Sequence, residues 1–172
     1  MALPRPSDFI VLATVGAGTG AGAAIDLWTR RVPNPLTVGL ATIGVIFAAT
    51  GISSISLGAS LAGLALGLVL MLPGHMIGAT GAGDVKLFAA VGAFIGPSPI
   101  AFAFLYTALA GGVMAIVISL WRRRLRQTLG DTARLISTAA ANVPLIESPL
   151  ANNRFAYAPA IAVGTMLAAL GF

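Results

Sequence analysis

Two aspartates, Asp26 and Asp84, stand where an apolar chain has little reason to put a charge. Asp26 ends a run with no charged residue after Asp8, and Asp84 follows 52 residues, 32–83, that hold no Asp, Glu, Lys or Arg. The apolar segment after Asp84 reaches only to Ile95 before Gly96-Pro97. A helix starting at Asp84 would therefore be well short of the roughly 30 Å hydrocarbon core, so it must begin at or before Asp84. A carboxylate inside a bilayer costs about 2.5–3.5 kcal/mol on insertion scales, which makes function its default explanation. Two carboxylates brought together cannot both ionise freely and share a proton. Such a pair can hydrolyse a peptide. The ionised partner takes a proton from water, and the protonated one hydrogen-bonds the scissile carbonyl. This chemistry needs neither metal nor cofactor. A plainer reading also fits: Asp84 as a helix N-cap, and Asp26 paired with Arg30 at i, i+4.

Gly78-Ala79-Thr80-Gly81-Ala82-Gly83 leads into Asp84. Glycines there permit unusual dihedrals and leave room for a substrate backbone beside the carboxylate, with Gly81 and Gly83 closest to it. Ordinary helix packing or a loose turn explains them equally well. Lys86 follows two residues later. It would either tune Asp84 or anchor the helix.

The elements that hold these residues are apolar. Hydrophobic residues make up 58% of the 172 and charged residues 9%, against about 25% charged in soluble domains. A soluble domain of this length could not hide so much apolar surface. A soluble enzyme, a disordered chain and a nucleic-acid module are thereby excluded. With no cysteine and one histidine, His75, there is no disulfide framework, no thiol nucleophile and no basis for a zinc site.

A second stretch of 35 residues, 87–121, also lacks charge. Punctuation at Asn34-Pro35, Gly51 to Ser56, Leu72-Pro73-Gly74-His75 and Gly96-Pro97-Ser98-Pro99 divides the apolar chain. The expected architecture is all-α: one integral-membrane domain over 1–172, a polytopic bundle of about six transmembrane helices. These run about Phe9–Ile25, Pro35–Thr50, Leu57–Leu72, Gly83–Ile95, Ile100–Trp121 and Tyr157–Leu170. Gly16/Gly20 and Gly18/Gly22 suit close helix packing in lipid. Gly16-Ala17-Gly18-Thr19-Gly20 resembles a dinucleotide fingerprint, but no strand precedes it. The first segment reads as a retained helix rather than a cleaved signal, because Arg30-Arg31 flank its far end.

Nine of the ten basic residues fall in three alternate loops: Arg30 and Arg31; Lys86; and Arg122, Arg123, Arg124, Arg126, Arg134 and Arg154. These loops are then cytoplasmic, with both termini outside. The net charge of +5 labels topology rather than a nucleic-acid partner. Leu125, Leu129, Ala133 and Ile136 recur at helical spacing among the arginines, as in an amphipathic helix on the anionic leaflet; a solvated basic loop fits as well.

Asp26-Leu-Trp-Thr-Arg-Arg-Val-Pro33-Asn34 resembles the first active-site motif of the type IV prepilin peptidases. Gly81-Ala-Gly83-Asp84-Val-Lys86-Leu87 is similar to their GxGD motif, and Tyr157-Ala-Pro159-Ala-Ile-Ala-Val-Gly164 resembles their closing helix, with Ala156 where a proline is expected. The resemblance implies a membrane aspartic endopeptidase with Asp26 and Asp84 catalytic. Its substrates would be prepilin or pseudopilin precursors, cut at the cytoplasmic face of the bacterial inner membrane, typically after a glycine. Without cysteines the chain looks like the short Flp/Tad-pilus branch, and N-methylation of the product is not expected of it. The oligomeric state is left open. The rival readings are a proton-coupled transporter subunit using both aspartates near the midplane, a presenilin-like protease, which would carry Tyr before its first Asp where Ile25 stands here, and a non-enzymatic assembly subunit.

Overall fold

The charge-free segments fold as helices because a helix satisfies its backbone groups within the segment itself, as an apolar setting requires. The computed structural model describes residues 6–121 and 157–170. Among them are six helices and no strand: α1 Pro6–Thr29, α2 Asn34–Ala49, α3 Leu57–Met76, α4 Ala82–Ile95, α5 Pro97–Trp121 and α6 Ala158–Ala169. The chain is an all-helical membrane bundle. The basic segment with its amphipathic pattern, Arg122 to Ala140, lies outside the described residues.

Local chemistry sets the ends. Pro33 is the extended N-cap of α2 and Pro35 sits in its first turn, where a missing N–H costs nothing. Ser56 caps α3 by accepting from the Ala59 N–H at 3.2 Å. Gly51, Gly78 and Gly96 turn the chain with φ of 73°, 74° and 80°. The break between α4 and α5 shrinks to Gly96 alone, and α5 begins at Pro97.

Two helices run past the C-terminal ends expected from sequence. Leu72-Pro73-Gly74-His75 does not close α3, which runs on to Met76. Proline removes one hydrogen bond, but its φ suits a helix, and the carbonyls beyond it are taken up locally. Pro73 O accepts from Ile77 N, and Gly74 O from Ala79 N at 2.8 Å. His75 is a helix residue whose Nδ1 lies 3.0 Å from Thr80 O. The second difference is α1, which passes Ile25 and ends at Thr29, so Asp26 lies in its last turn.

Among the described residues, α1, α3 and α5 are long and apolar enough to cross a membrane, and α2 and α6 are shorter apolar helices. The 14 residues of α4 span only about 21 Å. Its surroundings explain why that length suffices: α4 packs against all five other helices. From Asp84 to Phe94 every residue but Lys86 is buried. A helix sheathed in protein need not match the bilayer thickness. Large apolar side chains point outward instead from the other five helices, among them Ile46, Val69, Leu109 and Leu167. That surface suits lipid.

Small residues let the sheath close on α4. The backbones of α3 and α4 meet at Gly63 and Gly92, where a Cβ on either would overlap the other's carbonyl oxygen. Gly22 of α1 faces Leu87, and Gly44 of α2 faces Ala93 and Phe94. Of the expected glycine pairs in α1, Gly18 and Gly22 are close contacts with Leu40 and Leu87, Gly16 touches Met166, and Gly20 faces open space. Phe47 and Phe88 pack edge-on against Phe94 and Phe104, with centroids 5.8 and 6.2 Å apart.

Candidate active site

Asp84 is the third residue of α4. Gly81 is the N-cap and Asp84 reaches back over the first turn, so its Oδ2 accepts from the Gly81 N–H at 3.1 Å. The carboxylate does close the helix end, but from position N3 rather than from the cap. Its other oxygen, Oδ1, is buried and has no hydrogen-bond partner among the described residues. A buried acceptor without a donor is costly, and a catalytic role is one recognised reason for keeping one.

Asp26 comes from the opposite end of its helix. Its backbone carbonyl accepts from Arg30 N at 2.8 Å as α1 ends. Its side chain turns inward and is only 5% exposed, while that of Asp84 is 6% exposed. Oδ2 of Asp26 accepts from the Ala158 N–H, in the first turn of α6, at 3.4 Å. Asp26 and Asp84, 58 residues apart in the chain, stand within electrostatic reach of each other. Arg30 is also within electrostatic reach of Asp26.

The glycines are placed by these contacts. Gly81 is extended at φ −74°, ψ 150°, a conformation open to any residue, and a Cβ there would stand 3.0 Å from Asp84 Oδ2. Gly83 lies against the α1–α2 loop: a Cβ would meet the Val32 Cβ at 2.9 Å and the Val32 carbonyl oxygen at 3.0 Å. Of the three glycines leading into Asp84, Gly78, Gly81 and Gly83, only Gly78, outside the helix, uses a left-handed dihedral. Lys86 is exposed, and its Nζ donates to Asn34 Oδ1 at 3.0 Å.

Sequence reasoning passed over three of these partners. Ala158 acts through a backbone N–H, which leaves no mark on residue type. Tyr157 belongs to the closing motif; its ring packs where a Gly111 side chain would be, and it lies within electrostatic reach of Asp84. Asn34 was visible as the residue after Pro33, but its partner 52 residues on was not. Among the described residues no three His, Cys, Asp or Glu side chains gather as a metal site would require.

The apolar helix bundle thus holds two buried carboxylates within electrostatic reach of each other at one end of its shielded central helix. The chain belongs to the type IV leader peptidase family, whose model matches residues 11–116. It is a membrane protein and a member of a peptidase family. The matched residues include Asp26, Gly81, Gly83, Asp84 and Lys86, and stop short of α6. No curated protein and no solved structure matches the chain.

Proposed function

We propose that this chain is an aspartic endopeptidase that removes the N-terminal leader of type IV, Flp-like prepilins at the cytoplasmic face of the inner membrane. The observation that carries the reading is the convergence of Asp26 and Asp84, both buried, with Asp84 Oδ1 unpartnered among the described residues. One carboxylate, ionised, takes a proton from water as the water oxygen attacks the scissile carbonyl carbon. The other, protonated, hydrogen-bonds and protonates the carbonyl oxygen. The tetrahedral intermediate then collapses: the first carboxylate passes its proton to the amine nitrogen as the C–N bond breaks, and the second takes back its proton from a hydroxyl of the intermediate as the carbonyl re-forms. Gly81 leaves the face of Asp84 clear for the substrate backbone. The basic residues beside Asp26 and Asp84, Arg30, Arg31 and Lys86, support the orientation proposed, with this end of the bundle in the cytoplasm and both termini outside.

The transporter reading is not favoured. It calls for carboxylates near the middle of their spans, whereas Asp26 lies in the last turn of α1 and Asp84 in the first turn of α4. The test is co-expression with an Flp-type prepilin, followed by gel shift and N-terminal sequencing of the product. Asp26→Asn and Asp84→Asn should each reduce cleavage by about 10²–10⁴-fold while the protein still accumulates in the membrane. Normal processing by both variants would sink the assignment.

A further inference from the structure

The segment that follows Asp26 is docked rather than loose. Arg30 ends α1 with φ 56°, the left-handed region that an ordinary side chain enters only under constraint. The next residues supply that constraint. Val32 is buried and lies directly on Gly83. Asn34, the first residue of α2, accepts from Lys86 across 52 residues of chain. Val32 and Gly83 are six residues after Asp26 and one before Asp84, and Lys86 is two after Asp84. The strip from Asp26 to Asn34 is thus fastened to the first turns of α4 at two points, one apolar and one polar.

We propose that Asn34 and Lys86 are positioning residues: their hydrogen bond clamps the α1–α2 loop onto the start of α4 and so sets the separation of Asp26 and Asp84. The proposal rests on the peptidase reading. The link is exposed, so its contribution to global stability is small. Its leverage lies in geometry, because misplacing reacting groups by an ångström costs far more in rate than in folding. Lys86 then acts through Asn34, not as a bare charge beside Asp84.

The test uses the full chain in detergent with an Flp-type prepilin as substrate. Asn34→Ala and Lys86→Met should each lower kcat by about tenfold, with KM and the thermal transition within about twofold and a few degrees of the parent. The double variant should be no slower than the slower single one, because both remove the same contact. Asn34→Asp keeps an acceptor oxygen and should retain the parent kcat. Additive losses, or kcat unchanged in both single variants, would overturn the clamp. So would a pH profile shifted by Lys86→Met and not by Asn34→Ala, which would mark Lys86 as an electrostatic partner of Asp84. A parent chain that leaves the prepilin uncut refutes the peptidase reading instead, so the two failures are distinguishable.

Discussion

The backbone N–H of Ala158 donates to Oδ2 of Asp26 at 3.4 Å, joining the last helix to the first across 132 residues. The bond is buried, and the first turn of α6 offers N–H groups that the helix itself cannot use. A carboxylate at such an end is favoured by the helix dipole. The last helix thereby becomes part of the candidate site although it contributes no carboxylate.

That bond depends on how α6 lies on α5. Gly164 meets Thr107 so closely that a Cβ would overlap the Thr107 backbone. Gly164→Val should force α6 away from α5 and Ala158 away from Asp26. Both the thermal transition in detergent and prepilin cleavage are expected to fall. Cleavage at the parent rate would show that Asp26 does not need α6.

The crossing of α3 and α4 is equally tight. Gly63→Ala should destabilise the bundle by about 1–3 kcal/mol through overpacking against Gly92. Gly20→Ala should change stability little, because nothing lies within 4 Å of its added methyl. Equal melting of the two variants would contradict the packing described.

Ser60 Oγ donates to Ala93 O at 2.7 Å. That carbonyl would ordinarily accept from the residue four further on, which is Pro97 and has no N–H. Ser60→Ala leaves it without this donor and should cost about 0.5–1.5 kcal/mol. A denaturation midpoint equal to that of the parent would mean that the bond is not made.

Gly83→Ala places a methyl group against Val32. The loop or the helix must then shift, and Asp84 moves with it. Cleavage should drop by about tenfold or more, an ångström-scale displacement being enough for up to about 100-fold. The loss should appear in kcat measured on purified protein that still melts cooperatively. An active Gly83→Ala enzyme would show that the loop contact has slack.

Some of this was legible in residue order because it depends on local chemistry. The charge-free runs between Arg31, Asp84 and Arg122 marked apolar helices, and Gly and Pro marked the ends of α2, α4, α5 and α6 to within a few residues. Asp26 and Asp84 stood out because a carboxylate beside lipid-length apolar runs is costly wherever the chain goes. The reach of α1 to Thr29 and of α3 past Pro73 was not legible, since both ends depend on carbonyl partners in the following loops.

That the two aspartates lie within electrostatic reach of each other is a different kind of fact. Nothing in the 58-residue separation requires it; it depends on how the helices that carry them pack. Lys86 shows the contrast. Sequence left it between tuning a carboxylate and anchoring a helix, and the fold put it 3.0 Å from Asn34. Residue types determined that the chain is an apolar helix bundle carrying two misplaced acids. Tertiary structure alone decided which groups face those acids, because backbone donors and close glycine contacts exist only once the helices have packed.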